Sequence, residues 1–146
     1  MVEGRYVSVQ FCDDIRQEVG NKYSLIGCYG PSMLVGAFPV LLPKLCAFLR
    51  IYTPISRPFA RVSMRILRGD QSLTEMEIPQ QALENIRGGQ QLQDATLIIV
   101  GSALVMSPFP VEEPTMLRVE VETEDGVLSG GKFRIEKVPA PVEKVN

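Results

Sequence analysis

The densest set of side chains able to do chemistry is Asp13-Asp14-Ile15-Arg16, with Glu18 two residues further on. Three carboxylates this close could offer oxygens to a hard cation such as calcium or magnesium. The same residues have a structural use. Asp side chains accept from backbone N–H groups at turns, and an Arg pairs with a carboxylate, so the cluster can mark the end of a first strand. The order Asp14, Arg16, Glu18 also suits one solvated strand face. Arg16 sits in the middle and no second ligand-rich loop lies nearby, which favours the structural use over a metal site. If this corner binds a partner, Asp13, Asp14 and Arg16 are the residues to carry it.

The second chemical feature is charge segregation. Lys44, Arg50, Arg57, Arg61, Arg65 and Arg68 fall in one stretch without an acid, and Glu112, Glu113, Glu120, Glu122, Glu124 and Asp125 fall in another against Arg118 alone. Arg61 and Arg65 share a strand face by the period of two, as do Glu120 and Glu122. If those strands are neighbours, the charges form a cross-strand ladder, each pair worth a few tenths of a kcal/mol. Otherwise Arg57, Arg61 and Arg65 make a basic strip for an acidic protein partner. Nucleic acid is disfavoured. The strip has few Lys, Phe48, Tyr52 and Phe59 show no platform spacing, and the whole chain carries a net charge of -2, from 15 Lys and Arg against 17 Asp and Glu.

Other chemistry lacks its parts. The chain has no His, which removes the usual base, metal ligand and near-neutral pH switch. Cys12, Cys28 and Cys46 are odd in number, widely spaced and without a Cys-x-x-Cys pair. They read as small, reduced core residues of a cytoplasmic protein, neither a disulfide framework nor a zinc site. Cys12 or Cys28 has no recognisable activating base. The glycine pairs lack the context of a phosphate cradle, and Arg68-Gly69-Asp70 is explained by a hairpin turn. No catalytic residue, metal or cofactor is therefore expected.

The elements that must position these residues are mostly strands. The length of 146 residues suits one domain, and 45% apolar with 22% charged residues is a globular balance. Leu117–Glu122 and Val62–Ile66 alternate apolar with polar, the pattern of half-buried strands. Tyr6–Cys12 and Lys22–Tyr29 are rich in β-branched and aromatic residues. Leu45–Thr53 and Thr96–Met106 are apolar nearly throughout, with Gly101 a candidate bulge. Gly69-Asp70 joins Ala60–Arg68 to Ser72–Ile78, and Asp125-Gly126 joins Met116–Glu124 to Val127–Glu136. Leu128 and Phe133 fall out of phase, so Gly130-Gly131 predicts a bulge between them. Pro79 opens one short helix, with Ala82, Leu83 and Ile86 on its apolar face and Gly88-Gly89 at its end. The Pro-containing stretches 31–43, 54–58 and 108–114 read as connections. The fold predicted is an all-β antiparallel sandwich of about eight strands over residues 1–138, with a β-barrel as the alternative and a flexible tail at 139–146. The first twenty residues lack a signal-peptide form, and no apolar run is clean enough to span a membrane.

The stretch Phe11-Cys-Asp-Asp-Ile-Arg-Gln-Glu-Val-Gly-Asn-Lys-Tyr-Ser-Leu-Ile-Gly-Cys-Tyr-Gly30 resembles the opening of a family of small bacterial and phage proteins, a domain of unknown function. The pattern is Cys-Asp-Asp-x-Arg-x-Glu followed by Ser-Leu-x-Gly-x-Tyr-Gly. The resemblance continues through Phe38-Pro-Val-Leu-Leu-Pro-Lys-Leu45, and after residue 50 only the strand pattern matches. It implies a compact β-rich domain of bacterial or phage origin and carries over no activity. The expectation is a non-enzymatic module that binds a protein partner or a second copy of itself. A phage or prophage structural component, and a metal- or small-ligand-binding domain centred on Asp13, Asp14 and Glu18, are the alternatives.

Overall fold

A computed structural model describes residues 4–89 and 94–140. Eleven strands and one helix follow in the order β1 (Tyr6–Glu18), β2 (Lys22–Cys28), β3 (Ser32–Val35), β4 (Val40–Leu42), β5 (Leu45–Pro54), β6 (Val62–Arg68), β7 (Gln71–Glu77), α1 (Gln80–Gly89), β8 (Leu97–Met106), β9 (Phe109–Val111), β10 (Thr115–Thr123) and β11 (Gly126–Lys137). They form a four-stranded sheet, β2-β1-β5-β8, a five-stranded sheet, β3-β11-β10-β6-β7, and a β4-β9 ribbon. Among the described residues only β3 with β11 is parallel. No sheet closes on itself, so the fold is an all-β sandwich and the barrel alternative falls.

One core fills the space between the sheets. Leu45, Leu49 and Ile51 of β5 and Val100 of β8 meet Met64 and Ile66 of β6, Val119 and Val121 of β10, and Phe133 and Ile135 of β11. Burying one face of each strand is what the period-two alternation of β10 encodes. Phe11 stacks on Phe133 across the gap, ring centroids 4.2 Å apart.

The glycine pair in β11 does as its phase predicts. Arg118 opposes Lys132 while Glu120 opposes Ser129, so Gly130 and Gly131 share one partner position and both Leu128 and Phe133 point inward. Gly130 also lets the sheets approach, since a Cβ there would lie 2.8 Å from Val9 Cγ2.

Four expectations need correction. First, β1 does not end at Cys12. It runs through Asp13, Asp14 and Arg16 to Glu18 and turns at 19–21, where Gly20 and Asn21 take positive φ. The hairpin persists because cross-strand bonds to β2 replace burial as its support. Second, Gly101 is no bulge, for the β5–β8 register is unbroken from Leu45↔Met106 to Pro54↔Leu97. It leaves room for the ring of Phe48, whose Cζ would stand 3.4 Å from a Cβ at that position. Third, two of the Pro-containing connections carry the short strands β3, β4 and β9. Fourth, the turn after β10 is Glu124-Asp125, because Thr123 pairs with Gly126. Residues 141–146 of the expected tail lie outside the described residues.

Candidate functional site

The Asp13–Arg16 stretch does not converge on anything. Asp13 and Asp14 are consecutive in a strand, so their side chains leave opposite faces. The Tyr29 hydroxyl donates to Asp13. Burial first, then this carboxylate, pushes the Tyr29 phenol up to about 12. Asp14 accepts from the Ile15 N–H and from Lys44 Nζ, each at 2.9 Å. That lysine holds the Asp14 carboxyl below its usual value, and Asp14 raises Lys44 in turn. Arg16 is exposed, opposite Ser24. Among the described residues no group of three His, Cys, Asp or Glu side chains is placed to hold a metal.

The basic strip resolves into ion pairs. β6 lies beside β10 with Arg65 opposite Glu120. Arg65 reaches Glu120 at 3.0 Å and Glu122 at 3.5 Å, Arg61 reaches Glu77 at 3.3 Å and Glu122 at 3.5 Å, and Arg118 reaches Glu120 at 3.0 Å. The hydrogen bond to Glu120 raises the Arg65 pKa. Arg57 pairs with Asp125 at 2.8 Å. Arg61 and Arg65 of the basic segment and Glu120 and Glu122 of the acidic one, separated along the chain, thus meet with Glu77 and Arg118 in one ion-pair ladder on the outer face of the five-stranded sheet.

The outer face of the four-stranded sheet is different. Three cross-strand rows run over it: Tyr6, Tyr52 and Ile99; Ser8, Arg50 and Gly101; Gln10, Phe48 and Ala103. Tyr6 and Tyr52 stack with centroids 4.3 Å apart, yet Tyr6 is 50% exposed and Ile99 43%. Leu97 and Val105 on the edge strand are also exposed. Beside these rows lies a groove of about 650 Å³ with Tyr23, Leu25, Phe48, Arg50, Ile86 and Ile99 among its walls and, among the described residues, no carboxylate in its lining. Tyr23 tilts against Phe48 at 5.0 Å, and the Arg50 guanidinium lies 5.7 Å from the same ring. Arg50 stands between Ser8 and Gly101, so neither neighbouring strand offers it an acid. Lys22 adds a second cation at the rim, opposite Glu18 in register.

Sequence reasoning missed this face. Phe48, Arg50 and Tyr52 interleave with the core residues Leu49 and Ile51, so the strand reads as apolar on both sides. The one available signal was Arg50, the single charge inside that run. Among the described residues, no helix is long and apolar enough to cross a membrane. A scan against protein-family models finds no match, and no curated protein matches the chain.

Proposed function

We propose that the chain is a non-enzymatic, cytoplasmic protein-binding module of bacterial or phage origin, and that it works through the outer face of its four-stranded sheet. The observation that carries this reading is the contrast between the two outer faces. One is closed by its own ion pairs. The other leaves tyrosines, aliphatic side chains and Arg50 open to solvent. Exposed aromatic residues around an Arg are the composition of interface hot spots. The groove's cations and apolar walls suit a partner segment that alternates acidic with apolar side chains.

The test is affinity capture from extracts of the source cells with three baits: wild type, Arg50→Glu and Arg61→Gln. A stoichiometric protein kept by wild type and Arg61→Gln but lost from Arg50→Glu supports the reading. A partner lost only from Arg61→Gln would overturn it and move binding to the ladder. Recovery of no partner but further copies of the same chain would overturn it in favour of self-association, and recovery of nothing would contradict it.

A further inference from the structure

The three cysteines, scattered along the chain, meet in the fold. Cys12 of β1 stands directly opposite Cys28 of β2 on one side and Cys46 of β5 on the other. Directly opposed residues carry their side chains on the same face, so the three thiols form one row across three strands. All three are free.

The two pairs differ in type. The Tyr29 N–H donates to the Phe11 carbonyl at 2.9 Å, which makes Phe11 and Tyr29 the hydrogen-bonded pair. Cys12 and Cys28, one step along, are then the non-hydrogen-bonded pair, with Cα atoms about 4.5 Å apart and the side chains closer. That separation lies inside the range a disulfide spans. Cys46 is engaged elsewhere, its Sγ 3.8 Å from the Asp13 carbonyl. Exposure also sorts the three. Cys28 is exposed, whereas Cys12 and Cys46 are buried.

We propose that Cys12 and Cys28 form an oxidation site, in which a peroxide converts this pair to a cross-strand disulfide. The Cys28 sulfur attacks the peroxide oxygen, breaking the O–O bond, and its thiol proton passes to the departing oxygen, so that it becomes a sulfenic acid while one water leaves. The Cys12 sulfur then attacks the Cys28 sulfur. The S–S bond forms as the S–O bond breaks, and the leaving hydroxide takes the Cys12 proton to become the second water. Both thiols together give up the electron pair that reduces the peroxide. The order follows from access: Cys28 meets the oxidant, and Cys12, buried behind it, resolves the sulfenic acid. Burial, with Cys46 and Cys28 as neighbours, pushes the Cys12 thiol up to about 11, so it is not the first to be oxidised. The bond would tie β2 to β1 next to Gly27, where the backbone takes a φ of 67°. Cys28 also lines a recess with Phe48 and Arg50, so the cross-link would stiffen one wall beside the groove.

The test treats the reduced full chain with stoichiometric hydrogen peroxide, blocks remaining thiols with N-ethylmaleimide after unfolding, and maps the peptides by mass. The expected product has a Cys12–Cys28 cross-linked peptide, one alkylated cysteine at Cys46, and full reversal by dithiothreitol. Cys28→Ser, at an exposed position, should form no cross-link and leave Cys12 reduced. A stable sulfinic acid at Cys28 with Cys12 still alkylated would overturn the proposal, and so would a cross-link joining Cys12 to Cys46.

Discussion

The Arg5 guanidinium grips the Glu124 carboxylate with two hydrogen bonds, Nη1 to Oε2 at 2.8 Å and Nη2 to Oε1 at 2.9 Å. Arg5 leads into β1 of one sheet, and Glu124 sits in the β10–β11 turn of the other, so the pair fastens the sandwich at one end. Arg5 is only 6% exposed. Its Nε donates to Thr53 Oγ1 at 2.9 Å, its Nη2 to the Arg57 carbonyl at 3.1 Å, and its plane lies 4.5 Å from the Phe59 ring centroid. Only the Arg5 end is buried, and Glu124 keeps 27% of its side-chain surface, so removing Arg5 leaves a partly solvated carboxylate and the Thr53 hydroxyl without their donor. Arg5→Met should therefore destabilise the fold by about 1–3 kcal/mol in urea titration. Arg5→Lys should recover little of that, because an ammonium cannot match the two-pronged geometry.

The same pair sets an acid limit. Burial pushes the Glu124 carboxyl up, but the hydrogen bonds from Arg5 and from the Ala60 N–H outweigh it and leave the pKa below its usual 4.5. A carboxyl with a lowered folded pKa stabilises the protein above the unfolded value and loses that contribution as pH falls through the folded value. Thermal midpoints should drop as pH falls below 4.5, and Glu124→Gln, already weaker at neutral pH, should show a shallower drop over the same interval.

Much of the fold was legible because period-two burial writes itself into composition. Leu117, Val119 and Val121 against Arg118, Glu120 and Glu122 give both the strand and its two faces. The phase slip between Leu128 and Phe133 gives the bulge. Less legible were elements whose support is not burial. The Asp13–Glu18 half of β1 has Ile15 as its single apolar residue and is held by its pairing with β2. β3, β4 and β9 are short, Pro-flanked pieces whose strand character depends on a neighbour. The row of thiols appears only once the register aligns Cys28, Cys12 and Cys46. Arg5 stands outside every periodic segment, and nothing local marks it as buried.

The ladder should behave as structure, not as a binding surface. A double-mutant cycle on Arg65→Met and Glu120→Gln should give a coupling of about 0.2–1 kcal/mol. Much of that coupling should vanish in molar salt, where screening shortens to about 3 Å.

The approach of the two sheets at Gly130 is a packing limit. A Cβ at Gly130 would meet Val9 Cγ2 at 2.8 Å and Val119 Cβ at 3.0 Å. Gly130→Val should cost about 1–3 kcal/mol through overpacking, measured by chemical denaturation. In the double variant with Val9→Ala, part of that loss should return.

Whether the outer face of the four-stranded sheet is the binding surface is decided by hydrogen–deuterium exchange on the captured complex and on the free chain. Binding there should give new protection in β2, β5 and β8, at Tyr23, Arg50 and Ile99, with β6 and β10 unchanged. Protection confined to β6, β7 and β10 around Arg61 and Arg65, with the four-stranded sheet unaltered, would contradict it.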